Sequence, residues 1–305
     1  MTIIDAHAHL WLRQSGEIEG QAIYSLDRGR AFFINEVRQM MPPFMLDGSN
    51  TAEALLSNMD YAQVSAAVIT QEYIDGSQND YLSEVQRRYP DRFLCCGLVD
   101  ARRSSFISEA EEVIDAGFRA LKIPAGRLIM ADRRIRLTSA EMMQLFGMLN
   151  SRGLILSIDL ADGAEQVGEM EEVISEYPEL RIAVGHFGMV GRPGWQEQIK
   201  LARHPNVRIE SGGITWLFHE EFYPYEGAVR AILEAAELVG FEKLMWGSDY
   251  PRTMVAITYL MSYDFVRRSP LLTDAEKRLF LGANAQEFYG FGPLPNMPYV
   301  KNMLE

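Results

Sequence analysis

Cysteine, histidine and positive charge are all scarce in this 305-residue chain, which has two cysteines, five histidines and 29 Lys plus Arg against 42 Asp plus Glu. The cysteines, Cys95 and Cys96, are neighbours in an apolar run. Successive side chains of a strand point to opposite faces, so the pair cannot easily bridge and two buried free thiols are expected. A formal net charge of −13 works against the clustered positive surface that a phosphate backbone requires, so nucleic acid is not expected as a partner. Acidic small molecules remain open, because a site needs only local cations, and Lys122, Arg192 and Arg252 are available. No apolar run is long enough to cross a membrane, and MTIIDAHAHLW has no basic segment followed by an apolar one. No membrane association, no secretory signal and a cytoplasmic location are therefore expected. Internal repeats, low-complexity tracts and a Gly-rich dinucleotide fingerprint after the first apolar run are also missing.

What is present is the composition of a soluble globular protein, 48% hydrophobic and 23% charged, able to bury a large core. Short apolar, β-rich runs alternate with helical patterns from end to end, the mark of βα units and a parallel sheet. Eight runs stand out: Ile3 to His7, Ala66 to Thr70, Phe93 to Val99, Ala120 to Ile123, Leu154 to Asp159, Arg181 to Val184, Val207 to Ser211 and Leu244 to Trp246. Between them, Thr138-x-x-Glu141 reads as a capping box ahead of Met142, Leu145, Phe146 and Leu149, with Gly153 as the stop. Val167, Met170, Val173, Ile174 and Tyr177 share one helix face before Pro178, and Thr273-x-x-Glu276 opens a further helix. Eight such units without a dinucleotide fingerprint predict a closed (β/α)8 TIM barrel, with residues 1–305 as a single domain. Two segments are long enough to be functional loops, 11–50 after the first strand and 212–225 after the seventh.

In a barrel, the C-terminal ends of the strands converge on one mouth, so chemical residues should recur there. Strand one ends in Asp5-Ala6-His7-Ala8-His9, strand four in Lys122, strand five in Asp159, strand six in Gly185-His186 and strand eight in Gly247-Ser248-Asp249. Residues two apart on a strand share a face, which sets His7 and His9 side by side toward one ion or one carbonyl oxygen, with Asp5 on the same face to orient them. His186 is a ligand or polarising group, or else a hydrogen-bonded histidine capping its strand. Asp249 is a ligand or general base, or a turn-forming aspartate. Lys122 and Asp159 either contact substrate or pair across the mouth, and Arg252 either binds a substrate carboxylate or carbonyl or pairs with an acidic neighbour. His204 is expected in solvent. His219 and Trp216, in an aromatic loop with Phe218, Phe222, Tyr223 and Tyr225, are candidates for substrate contact.

With these residues in place the chain resembles the amidohydrolase superfamily, and within it the amidohydrolase-related branch of lactonases and nonoxidative decarboxylases. The matching pieces span nearly the whole chain: IDAHAHLW, YPDRFLCCGLVD, FRALKIP, LSIDLADG, YPELRIAVGHFG, IESGGITWLF, LMWGSDYPR and ANAQEFYGF. The resemblance implies one divalent ion, Zn2+ before Mn2+, with His7, His9, Asp249 and His186 as its expected ligands, and a homo-oligomer, most simply a dimer. It departs from the branch at strand five, where Ser157 and Asp159 stand in place of an expected histidine. An aspartate there is similar to sugar-lactone and pyrone-lactone hydrolases, and it leaves two roles for the strand-one histidines: holding the ion, or polarising a lactone carbonyl directly.

The expected activity is therefore hydrolysis of a cyclic ester of a sugar acid or dicarboxylic acid, with Asp249 taking a proton from water while His186 polarises the carbonyl. The alternative within the branch is metal-dependent decarboxylation of an aromatic or unsaturated acid. From another class, a noncatalytic barrel that binds a small molecule is also compatible with the fold, although it gives no reason for His7, His9, His186 and Asp249 to occur together.

Overall fold

All eight apolar runs form parallel strands, in chain order around one sheet. In the computed structural model, which describes residues 1–18, 20–295, 297–301 and 303, these are β1 (Ile4–His9) and, after an insert of four strands, six strands from β6 to β11 and a short last one, β12. The insert comprises β2 (Ser15–Ile18), β3 (Gln21–Ser25), β4 (Arg30–Phe33) and β5 (Glu36–Gln39). The strands that follow are β6 (Ala66–Thr70), β7 (Phe93–Leu98), β8 (Ala120–Ile123), β9 (Ile155–Ile158), β10 (Arg181–Val184), β11 (Val207–Glu210) and β12 (Leu244–Met245).

Because β12 is so short, the sheet is closed by main-chain bonds beyond its end. Ala6 N–H donates to Trp246 O at 2.9 Å, Asp249 N–H to His7 O at 2.8 Å and His9 N–H to Tyr250 O at 2.8 Å. Helices cover the outer face, and the alternate side chains divide two cores as the pleat requires. Ile4, Ala6, Ala66, Val68, Leu94, Cys96, Ala120, Ile155, Ala183 and Met245 fill the interior. Ala285, Phe288 and Tyr289 of the helix Asn284–Tyr289 plug the N-terminal end of the barrel. Cys95 faces the outer core and Cys96 the inner one, both buried and unpaired as expected.

Four expectations from the sequence are corrected. Asp5 does not share the face of the histidines. A β-bulge between Asp5 and Ala8 adds one residue to β1 and breaks the period of two. Ile4 and Ala6 therefore point into the barrel while His7 and His9 face its mouth, and Asp5 turns to the seam. There it accepts from the N–H of His7 (3.1 Å), the N–H of Ser248 (2.8 Å), the Tyr259 hydroxyl (2.8 Å) and the Ser248 hydroxyl. Burial pushes its carboxyl up to about 6 against these bonds. Second, the helix Ala140–Ser151 is capped by Ser139, whose extended backbone lets its hydroxyl accept from Met142 N–H, so it starts one residue later than a box on Thr138 requires. The Thr273 box forms as expected. Third, His204 is half-buried and its Nε2 lies 2.7 Å from Glu171. Fourth, residues 11–50 are not a loop: β2 to β5 form an antiparallel meander with a small core of Ile18, Ile23, Phe33 and Ile74.

Two measurements follow from these burials. Burial pushes the Cys96 thiol up to about 12 and the Cys95 thiol well above its ordinary range, so neither should react with a disulfide reagent at about pH 8, where a free thiol is partly ionised. Both should be titrated once denaturant unfolds the chain. Asp5→Ala leaves four donors at the seam without an acceptor and should lower the free energy of unfolding by about 3 kcal/mol, read from the shift of the denaturant midpoint.

Candidate functional site

The bulge in β1 and the seam bonds bring His7, His9 and Asp249 together at the mouth. His7 Nε2 lies 3.1 Å from His9 Nε2, His9 Nε2 lies 3.0 Å from Asp249 Oδ1, and the third edge, His7 Nε2 to Asp249 Oδ1, is 3.8 Å. All three residues are buried. On the far side of the His7 ring, Nδ1 lies 2.7 Å from Glu210 Oε1. A carboxylate can only accept, which assigns the ring proton to Nδ1 and turns the Nε2 lone pair toward His9. His9 Nδ1 has no hydrogen-bond partner although it is buried. Burial, then the Arg252 charge, lowers His9 to about 4 and keeps it neutral. Burial favours protonating Asp249, but the bond from His9 and the Arg252 charge outweigh it and hold the carboxyl well below its usual range. Its second oxygen accepts from Trp216 Nε1 at 2.9 Å.

These donors suit a small divalent cation. Bonds of about 2.0–2.1 Å in a tetrahedron put ligand atoms roughly 3.3 Å apart, and the three separations of 3.0, 3.1 and 3.8 Å bracket that spacing. Two imidazoles and a carboxylate are a common donor set for zinc, and Glu210 behind His7 is the kind of outer partner that fixes a ligand ring.

His186 stands in a second group with His7 and Asp159. Its Nδ1 donates to Gly212 O at 2.9 Å, and its Nε2 faces Asp159 Oδ2 at 3.5 Å. Burial opposes its charge, but the carboxylates of Asp159, Asp249 and Glu210 push it up to about 10. The surrounding carboxylates favour a ring with two N–H donors, which would polarise an oxygen, while the group with His7 and Asp159 also has the spacing to hold an ion. His186 and Asp249 both hold a left-handed backbone, with φ of 57° each, a conformation uncommon for non-glycine residues though open to His and Asp.

A cavity of about 810 Å3 opens above these groups, lined by His9, Asp159, His186, Trp216, Asp249 and Arg252. Arg252 is fixed by two bonds to the buried Asp75, at 2.7 and 2.9 Å, and lies 3.6 Å from Asp249. Lys122 is fully buried beneath this floor, its ammonium on Asp159, and does not line the cavity. His219 is exposed, with its ring on the Trp216 carbonyl, and is not part of the lining either. A larger open groove of about 1190 Å3, lined by Glu17, Glu84, Asp100 and Glu109 among others, lies outside the barrel and contains none of these groups.

Sequence reasoning missed Glu210, Asp75 and the share of the insert in the cavity wall, Phe33, Arg38 and Met40. The first was within reach, because Glu210 ends an apolar strand as Asp159 does. Asp75 follows β6 by several residues and carries no pattern of its own.

Comparison with known proteins agrees with this geometry. A family model described as amidohydrolase matches residues 4–291. A curated relative, the uncharacterised protein y4mH of Sinorhizobium fredii, is 28% identical over 160 residues, 49% of this chain and 51% of the relative, so the match spans about half of either protein. Among solved structures, a probable 2-pyrone-4,6-dicarboxylic acid hydrolase of Acinetobacter baumannii with citric acid bound superposes with a TM-score of 0.69 at 18% identity, covering 95% of this chain and 100% of that one. An amidohydrolase of Burkholderia multivorans with bound zinc superposes with a TM-score of 0.66 at 16% identity, covering 97% and 100%. Identities this low speak for the shared barrel.

Titrating the protein with Zn2+ in a calorimeter should show about one tight site, abolished by His9→Ala or Asp249→Ala. Glu210→Gln, which removes the anion behind His7, should weaken it about 10- to 100-fold.

Proposed function

This chain belongs to the amidohydrolase family, and from that premise we propose that it hydrolyses a carboxylate-bearing lactone at the barrel mouth. The observation that carries the proposal is that Asp249 and His186 line one cavity, Asp249 at 3.0 Å from His9 and the His186 ring 4.7 Å from that of His7. Asp249 is held as a carboxylate while His186, across the site, is held as an imidazolium. A proton acceptor and a hydrogen-bond donor facing one cavity are what ester hydrolysis needs.

In this reading Asp249 takes a proton from the attacking water as its oxygen adds to the lactone carbonyl carbon. The N–H of His186 stabilises the charge that develops on the carbonyl oxygen. The ring C–O bond then breaks, and Asp249 returns its proton to the departing alkoxide, leaving a hydroxy acid. A divalent cation held by His7, His9 and Asp249, most simply Zn2+, would supply Lewis-acid polarisation and lower the pKa of water toward about 7. Trp216, bonded to Asp249, fixes the carboxylate plane and walls the site.

The cavity arginines support an anionic substrate. Arg38, Arg127 and Arg133 line the wall with Arg252. Arg252 is committed to Asp75, but Arg133 and Arg38 are paired to Glu165 and Glu36 in the open, with 84% and 51% of their side chains exposed. Exposed pairs of this kind contribute little, so a substrate carboxylate can exchange for either partner at small cost. Decarboxylation fits less well, because it asks Asp249 to start protonated in order to deliver a proton to carbon, and a carboxyl held this far below its ordinary range is almost entirely ionised.

A pH-indicator screen of pyrone, sugar-acid and dicarboxylate lactones in weak buffer should show acidification, with kcat reduced about 10^3-fold in Asp249→Asn. Release of CO2 from an aromatic acid with no lactone turnover would replace this reading by the decarboxylase.

A further inference from the structure

The insert ends in an edge strand with the pattern to pair with itself. β5 is the last strand of its sheet among the described residues, and all four of its residues are exposed. It joins β4 through a two-residue turn, Ile34-Asn35, with φ of 48° and 64°. Such turns close on a hydrogen-bonded pair, here Phe33 with Glu36. The antiparallel ladder then alternates, so Arg38 also bonds inward to Ala31 while Val37, opposite Phe32, does not. The bond from Met40 N–H to Gly29 O, at 3.0 Å, keeps that phase. The N–H and C=O groups of Val37 and Gln39 consequently point away from the sheet.

Edges are guarded by shortness, charged side chains, proline or a bulge, and charges guard best where an approaching strand cannot match them. β5 reads Glu-Val-Arg-Gln, without proline, with opposite charges on either side of an exposed valine. We propose that two copies of this chain associate through β5, antiparallel about a two-fold axis at Val37, and join their inserts into one eight-stranded sheet. The axis makes Val37 and Val37 of the second copy a hydrogen-bonded pair. It sets Glu36 against Arg38 of the second copy, and Arg38 against Glu36 of the second copy, in the closer, non-hydrogen-bonded positions where side chains interact most. A parallel arrangement would bring like charges together instead. On the opposite face, Tyr24 stacks on Phe32 at 5.3 Å beside Val37. Tyr24 and Val37 are 40% and 55% exposed, and pairing extends this apolar strip across the axis. The occupant is a second copy because a two-fold contact needs a self-complementary strand, and the charge order of β5 has that symmetry. Since β5 also gives Arg38 to the cavity wall, association and the wall share one element. Glu36 and Arg38 pair with each other within the strand and would exchange that partner for one across the axis. The inference does not rest on the reaction proposed above, and Arg133 remains free to exchange Glu165 for a substrate carboxylate.

Sedimentation velocity over a concentration series reaching about 100 μM should show the wild type passing from monomer to dimer as concentration rises, as a weak, reversible contact of small area does. Val37→Pro removes a donor the monomer does not use, at a position where an edge tolerates proline, and should sediment as a monomer with an unchanged circular dichroism spectrum. If that variant fails to fold, the charge series decides. Glu36→Lys should weaken association on the order of tenfold or more, and the double variant Glu36→Lys/Arg38→Glu should restore it. A monomeric wild type, a dimer unaffected by Glu36→Lys, or a double variant no tighter than the single one would overturn the proposal.

Discussion

Closure of the barrel between its first and last strands is the constraint on which the rest of the molecule depends. β12 gives the ladder only Leu244 and Met245, so the final gap is bridged by peptide groups just past its end. Those bonds, from Ala6 to Trp246, from Asp249 to His7 and from His9 to Tyr250, run through the same residues whose side chains meet at the mouth. His9 and Asp249 are 240 residues apart in the chain, yet their separation is set by main-chain geometry rather than by a chance approach of two loops. Asp5, bonded to His7, Ser248 and Tyr259, locks the seam from outside the site. Fold stability and donor geometry are in this way one quantity, and a change that loosens the seam loosens the site.

The insert is a different kind of construction. It hangs between β1 and the first barrel helix, carries its own small core and reaches over the mouth with Phe33, Arg38 and Met40. Among the described residues, no side chain of β2 to β5 makes a seam bond, and Asn50, beyond them, reaches only the His9 carbonyl. The barrel floor can therefore keep one set of reacting groups while the wall above it varies, which is the arrangement expected of a fold whose loops set specificity.

How much of this was legible in the sequence follows from the range of each interaction. The eight strands were visible because a buried parallel strand is an unbroken apolar run, and Lys122, Asp159, His186 and Asp249 were visible because each interrupts or ends such a run. Glu210 obeys the same rule and lies within the matching piece IESGGITWLF, yet its role stays hidden until the His7 ring it stands behind is placed. The misplacement of Asp5 has another cause: one bulged residue inverts every later face assignment, and no residue in Asp5-Ala6-His7 announces it. The insert was hidden by length, since its strands of four and five residues alternate too briefly to separate from a loop. The partnership of Arg252 with Asp75 has no local signature at all.

The protonation of His186 shows how these interactions combine. Asp75, Asp159, Glu210 and Asp249 are all carboxylates at the mouth with little or no exposure. Asp75 is matched by Arg252, Asp159 by Lys122, and Glu210 by the N–H of His7. Asp249 has the bond from His9 at 3.0 Å, the N–H of Trp216 and a share of Arg252, at 3.6 Å, none of them a full countercharge. Burying several anions together is expensive, and a proton on a basic group beside them lowers that cost. His186 faces Asp159 and feels Asp249 and Glu210 besides, so the proton settles there despite the cost of burying it. Its charge is thus imposed by the surrounding carboxylates, and the donor the proposed chemistry requires is a consequence of the charge balance rather than of anything in the histidine itself.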